Sequence, residues 1–332
     1  MKARPICCHE SARAARARTQ VGTVELMTKA LSPANVALLI LPPMLWAGNA
    51  VLGRVVSDQI SPMTLNFLRW ALAFLLLLPL AAWVLKPGSV LWPHWRRFAV
   101  LGFLGVGSYN SLQYLALHTS TPLNVTLVAS SGPIMILLVG WWCFGQRVSK
   151  RQMLGAALSV LGVLVVLSRG DLALLINIKP VVGDVYVLLA TLAWAFYSWR
   201  LADPRPTVSP MPPGLRSDWA AFLMAQIVFG LGWSALFTGG EWALTPAHID
   251  WSWPLAAAVA YTAIGPAILA YRCWGTGVQR VGPAVAGFFS NLTPLFAALL
   301  SAAFLGEVPQ AFHVLAFVLI AGGIVVSSKP ST

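Results

Sequence analysis

Charge is scarce in this chain. Of its 332 residues only 10% are Asp, Glu, Lys or Arg, against 58% hydrophobic, where a soluble chain carries about a quarter charged. That shortage excludes a solvated surface of ordinary composition. The solvent for most of the chain is lipid, in keeping with a mean hydropathy of +0.75. Alternation is missing as well: the apolar runs continue for roughly 20 residues without a period of two, the length of a spanning helix and not the pattern of a barrel strand. Cysteine is rare. Cys7, Cys8, Cys143 and Cys273 have neither disulfide nor zinc spacing, and Cys7-Cys8-His9 is either a metal cluster or an incidental group in a basic tail. A membrane-embedded enzyme needs His, Asp, Glu or Cys gathered near one membrane face. The apolar runs hold no such cluster, so no catalytic residue, metal or cofactor is expected.

What is abundant is basic charge, with a net +12. Its placement argues against nucleic acid as a partner, because most Lys and Arg lie in short linkers between apolar runs, where the positive-inside rule puts them. The expected partners are the bilayer and a small molecule, with the chain a monomer or homodimer. Residues 1–34 are Ala/Arg-rich and read as a basic, disordered cytoplasmic tail. Met27 opens a more conventional start, so residues 1–26 are either native or an upstream extension. Gly48-Asn49-Ala50 matches a signal-cleavage pattern, but its surroundings recur later in the chain, unlike a cleaved peptide.

The recurrence organises everything else. Pro122 to Gln146 (PLNVTLVASSGPIMILLVGWWCFGQ) and Pro283 to Glu307 (PAVAGFFSNLTPLFAALLSAAFLGE) align without a gap at an offset of 161. Pro122 falls on Pro283, Pro133 on Pro294, Gly145 on Gly306 and, further on, Gly162 on Gly323. Earlier in each half, Trp46-Ala47 and Ser61-Pro62-Met63 match Trp194-Ala195 and Ser209-Pro210-Met211 at an offset of 148. The apolar pattern predicts an all-α membrane protein of ten helices: about 36–56, 63–85, 98–118, 123–144 and 150–168, then 183–201, 218–238, 253–278, 283–304 and 310–328. These group into repeats at 35–170 and 181–328, and the 13 extra residues between the offsets 148 and 161 fall in the Pro-rich linker 203–217 and the loop Gly239–Asp250 of the second. With the N-terminus in the cytoplasm, 17 of the 22 basic residues fall inside and three outside. Five helices per repeat invert the second copy. The basic linker QRVSKR after the fourth helix then lies inside, and the acidic GEVPQ after the ninth lies outside. Inverted repeats are an architecture of secondary transporters, with the substrate site near the midplane.

The stretches WAGNAVLGRVV, ISPMTLNFLRWALAFLLLLPLA and FGQRVSKRQMLGAALSVLGVLVV, with NLTPLFAALLSAAFLGEV in the second half, resemble the EamA-like family of the drug/metabolite transporter superfamily. The resemblance covers about residues 36–328. It implies a ten-helix carrier of the bacterial inner membrane with both termini cytoplasmic, often an exporter of amino acids or related metabolites. It does not name a substrate. One absence bears on the choice: no Asp or Glu lies near the centre of a run. Proton-coupled exporters of hydrophobic cations commonly rely on a buried carboxylate, and here the first run offers only Asn49.

Several residues are candidates for the transport path. Pro133 and Pro294 lack an N–H and each frees the carbonyl four residues earlier, Ala129 and Ser290. Such carbonyls bind substrate or mark a hinge, unless a neighbouring hydroxyl closes them. Ser130 and Asn291 are partners at the 161 offset, and Asn291 is either interhelical glue or a site residue. The densest polar cluster, Ser108 to Tyr114, puts Asn110 and Tyr114 on one helical face and Gln113 beside Tyr109. Asn110 and Gln113 correspond to Tyr271 and Trp274, either lining a cavity or bonding helix to helix. Arg69 and Arg272 sit roughly 9 and 12 Å into their runs at 1.5 Å per residue. Each is either a partner for a substrate carboxylate or a snorkelling side chain, with Asp58 another partner. Trp46, Asn49, Trp194 and Tyr197 complete the set. The expected function is export of a small polar metabolite, an amino acid or derivative, by alternating access. The alternatives are a multidrug exporter of the same fold and a membrane enzyme.

Overall fold

The computed structural model describes residues 32–120, 122–171, 173–176, 181–202, 213–305 and 310–328. The tail with Cys7, Cys8 and His9, most of the Pro-rich linker, and Gly306 with Glu307 lie outside these residues. Twelve principal helices follow one another: α1 Pro33–Val55, α2 Pro62–Ala81, α3 over 95–119, α4 Pro122–Ala129, α5 Gly132–Phe144 and α6 Lys150–Ser168. The second half has α7 Val182–Ala202, α8 Trp219–Leu244, α9 over 253–281, α10 Pro283–Phe289, α11 Leu292–Leu305 and α12 Ala311–Ser328. Among the described residues the only β pairing is an isolated bridge, Ile60 to Ile249.

Short polar residues set the helix starts. Ser149 and Gln152 form a reciprocal capping box on α6. Asp218 accepts the Ala220 and Ala221 N–H groups at the head of α8, and Ser252 accepts that of Leu255 at the head of α9. Gly145 ends α5 in the left-handed region at φ 66°.

Nine helical stretches among the described residues are long and apolar enough to cross a membrane, which makes this a multi-pass membrane protein. The stretch 95–119 is helical throughout but is not among the nine, because the cluster Ser108 to Tyr114 lowers its hydropathy. Both α3 and α9 contain one segment of π-helix, Gly102–Ser108 and Ala263–Leu269. A π turn shifts the bonding register and leaves carbonyls without an i+4 partner. Side chains from other helices take them up. Tyr271 donates to the Gly105 carbonyl, Asn66 to that of Val106 at 3.1 Å, and Trp46 to that of Pro266 at 3.3 Å.

The proline runs are broken, not merely kinked. α4 gives way to α5 at Ser130-Ser131, and α10 to α11 at Ser290-Asn291. Each break precedes its proline because proline suits the first turn of a helix, where its missing N–H and fixed φ cost nothing. Pro133 is the second residue of α5 and Pro294 the third of α11. The carbonyls at the breaks are closed locally: Ser130, Ser131 and Ser290 hydroxyls donate to Leu127, Val128 and Gly287 at 2.6–2.7 Å. The Ser290 carbonyl, expected to be free, takes the Thr293 N–H at 3.0 Å.

Elements of the two halves interlock. α6 packs along α12, α2 along α8, α7 against α3 and α5, and α1 against α9 and α11. At the α6–α12 contact a Cβ on Gly155 would lie 2.7 Å from the Gly323 carbonyl oxygen, and one on Gly162 would lie 2.9 Å from that of Ala316. Only glycine allows that approach, the small-residue contact of membrane helices. Because contacts advance along one helix as they recede along the other, the two run antiparallel.

One loop differs from expectation. Residues 239–244 are helical, so Glu241 sits in the last turn of α8 and not in a surface loop. Its carboxylate reaches the N-terminus of α2, accepting from Met63 N at 2.9 Å, Thr64 N at 3.0 Å and Thr64 Oγ1 at 2.8 Å. A carboxylate on unpaired N–H groups at a helix start is favourable on both hydrogen-bond and dipole grounds.

Candidate substrate cavity

A cavity of about 420 Å³ lies where α1, α3, α4, α5, α7 and α11 meet. Both helix breaks open onto it, through Ser130 on one side and Ser290 with Asn291 on the other. Its walls carry the amides of Asn49, Asn110, Gln113 and Asn291, hydroxyls of Thr126, Thr191 and Thr293, and the rings of Trp46, Tyr109, Tyr114 and Trp194. Among the described residues, no Asp, Glu, Lys, Arg or His lines it. At one end it reaches Val51 and Val55 near the C-terminus of α1, Leu117 near that of α3, and Val125 at the start of α4.

At the other end aromatic rings close it. Trp46 meets Trp194 edge-on at 5.1 Å and Trp274 at 5.5 Å. Trp194 lies 5.0 Å from Tyr197, 5.6 Å from Tyr271 and 5.4 Å from Trp274. Polar edges in this layer are tied down: Tyr197 donates to Gln226 at 2.9 Å and Trp274 to Ser198 at 3.3 Å. Trp46 and Trp194, matched in sequence at the 148 offset, are therefore in direct contact on the cavity floor.

The structure brings Asn49, Asn110, Gln113, Tyr114, Ser130, Trp194, Asn291 and Pro294 together on the wall. Asn291 bonds helix to helix, its Nδ2 donating to Ser159 on α6 at 2.9 Å, and it also lines the cavity. Gln113 donates to Tyr109 at 3.0 Å, the pairing its i+4 spacing predicts. Tyr197, Tyr271 and Trp274 lie behind the lining in the aromatic layer, and Pro133 is buried beside the break without facing the space. Arg272 is elsewhere: exposed, stacked 4.3 Å over Trp219, at the rim of a separate pocket of about 40 Å³ with Tyr197 and Tyr271.

Arg69 is fully buried behind the wall. It does not pair with Asp58. Its Nη1 donates to Tyr114 at 3.0 Å and to Asn49 at 3.4 Å, and Tyr114 in turn donates to Asn49 at 2.9 Å. Thr126, Thr191 and Thr293 were missed from sequence, and Ser290 was read only for its carbonyl. Ser290 and Thr293 flank Asn291 at the second break, and adjacency to the matched Ser130–Asn291 pair was the signal for them.

A model described as the EamA-like transporter family matches this chain twice, over residues 34–168 and 181–329. An uncharacterized transporter of Archaeoglobus fulgidus is 25% identical over 290 residues, covering 86% of this chain and 94% of that one. The aromatic amino acid exporter YddG of Ancylobacter novellus is 25% identical over 237 residues, 71% of this chain and 76% of the relative. The uncharacterized inner membrane transporter YedA of Escherichia coli K12 is 23% identical, covering 85% and 86%. A solved crystal structure shares the fold with a TM-score of 0.67 at 22% identity, over 88% of this chain and 95% of the other.

Proposed function

Because the chain belongs to the EamA-like transporter family, we propose that it is a secondary carrier exporting an amino acid or amino-acid derivative by alternating access. The observation that carries this reading is the 420 Å³ cavity between the two halves, walled by amides, hydroxyls and aromatic rings and, among the described residues, free of charged lining. Such a wall suits a small zwitterion with an apolar or aromatic side chain. It offers no carboxylate for proton exchange against a hydrophobic cation. The relative named as an aromatic amino acid exporter supports the same substrate class.

Ten spans in two inverted five-span repeats fit the remaining observations, with 95–119 as the span beyond the nine. The family model matches in two stretches. The π segments of α3 and α9 lie 161 residues apart, as do the prolines after the two helix breaks. The Gly155–Gly323 and Gly162–Ala316 contacts exchange under the same shift, which a two-fold axis between antiparallel helices requires. With both termini on the cytoplasmic side of a bacterial inner membrane, the ends of α1 and α3 face outward. The cavity is then open to the outside and closed below by the Trp46–Trp194–Trp274 layer.

A second reading, a multidrug exporter of the same fold, draws on the same aromatic floor. Purified protein in liposomes separates the two. Counterflow of labelled phenylalanine or leucine is the expected result. Exchange of aromatic dyes without any amino acid overturns the leading reading.

A further inference from the structure

We infer that Arg69 is the anchor for the substrate's carboxylate, held in reserve behind Tyr114 in this conformation; the inference rests on the amino-acid reading of the cavity. The guanidinium is planar, and its Nε–H and one Nη2–H project from a common edge, the fork that matches a carboxylate with two parallel bonds. In this structure that edge is bare. Among the described residues Nε and Nη2, both buried, meet no hydrogen-bond partner, while Nη1 alone is engaged. Both groups on Nη1 are neutral, and the Trp70 ring, 5.2 Å from Cζ, supplies only a π face.

A buried cation left without a counter-anion is costly, and inside a membrane such residues mark pathways for charged groups. The arrangement fixes the guanidinium by one nitrogen, Nη1, and leaves its bidentate edge for something absent. Tyr114 controls access. Its side chain lines the 420 Å³ cavity and also a neighbouring pocket of about 240 Å³ that contains Asp58. Its hydroxyl bridges Arg69 and Asn49. Rotation of this one ring opens the guanidinium to the cavity, and a carboxylate on the Nε–Nη2 edge then supplies the counter-anion that the neutral hydroxyl on Nη1 does not. The substrate class follows: molecules with a free carboxylate, whose amine meets the neutral amides and hydroxyls of the wall.

The test uses the full-length chain in liposomes, with counterflow of labelled L-phenylalanine against two competitors. 3-Phenylpropionate keeps the carboxylate and loses the amine; phenylalaninamide does the reverse. The acid is expected to compete at least about 30-fold better than the amide, the scale of losing one partner of a buried charged pair. Arg69→Lys keeps the charge and loses the fork, so the preference is expected to fall about tenfold or more with a raised KM. If the amide competes as well as the acid, the inference is overturned. It is equally overturned if Arg69→Lys lowers melting temperature and yield but leaves the acid-over-amide preference intact, since that is a structural arginine. Tryptophan fluorescence of the solubilised protein, titrated with each competitor, keeps the two readings apart. Acid binding that is lost in Arg69→Lys, without phenylalanine counterflow, supports the fork and overturns the amino-acid export reading. Absence of acid binding overturns the fork itself.

Discussion

Gly322 and Gly323 are neighbours on α12 with opposite surroundings, and substituting each by alanine gives a signed test of how α12 meets α6. A Cβ on Gly323 would lie 2.6 Å from the Gly155 carbonyl oxygen, 3.1 Å from Ser159 N and 3.2 Å from Ser159 Cβ. A Cβ on Gly322 meets nothing within 4 Å. The first obstacle is backbone, so the two helices must separate, and overpacking of this kind costs about 1–3 kcal/mol. Both substitutions gain roughly 0.5–1 kcal/mol from the lower backbone entropy of alanine in the unfolded chain. Gly322→Ala keeps that gain, whereas Gly323→Ala loses it to strain and ends about 1–3 kcal/mol less stable than Gly322→Ala. Reversible SDS unfolding in mixed micelles, followed by tryptophan fluorescence, measures the difference. Gly155→Ala is expected to behave like Gly323→Ala. Equal stability of the two α12 variants would refute the close backbone approach.

Glu241→Ala removes the carboxylate from the start of α2 and is expected to cost about 1–2 kcal/mol, as for loss of a helix cap; Glu241→Gln, which keeps one acceptor, should lose less in the same titration. Asn291→Ala gives up its bond to Ser159, worth about 0.6 kcal/mol between membrane helices, so a large fall in transport beside a small fall in stability identifies it as a substrate contact. Cysteines at Val55 and Leu117, introduced where Cys7, Cys8, Cys143 and Cys273 have been replaced, are expected to react with an impermeant maleimide added to whole cells. Gly275→Cys, beyond the aromatic layer, should be protected, and the reverse pattern would invert the assigned orientation.

What sequence patterns reveal here is whatever depends on one helix at a time. The ends of α6, at Lys150 and Ser168, coincide with expectation because Ser149 and Gln152 write the start and the chain turns left-handed at Arg169. The break at Ser130-Ser131 was foreshadowed by Pro133 but displaced, since a proline marks where the following helix begins and not where the previous one stops. The π segments left no trace: Gly102–Ser108 is ordinary apolar sequence, and its altered register is held by Asn66 and Tyr271 from distant helices. Glu241 reads as a loop residue until α2 is placed beside it. Arg272 and Arg69 have similar depths in their runs, yet one faces outward over Trp219 and the other is sealed against Tyr114. Depth along a helix is local; the face it presents to its neighbours is not.

The pair Asn110 and Tyr271 carries this point into mechanism. They correspond across the repeat, but Asn110 lines the cavity while Tyr271 closes the layer beneath it and holds the Gly105 carbonyl. In the proposed inverted-repeat carrier, an exchange of roles between outward-open and inward-open states requires Tyr271 to leave that carbonyl when the floor opens. The Gly105 carbonyl belongs to a π turn, so departure leaves it short of a partner, and the bond specifically favours the state seen here. Removing it with Tyr271→Phe keeps the ring packing against Trp70 and Trp194 and withdraws about 1 kcal/mol. That corresponds to about a fivefold shift of population toward the inward-open state. Maleimide labelling of Gly275→Cys from the cytoplasmic side in inverted vesicles is then expected to quicken by up to about fivefold, while that of Leu117→Cys from outside slows by less. Unchanged rates at both positions would mean that Tyr271 is fixed in both states, and that the floor opens around it and not through it.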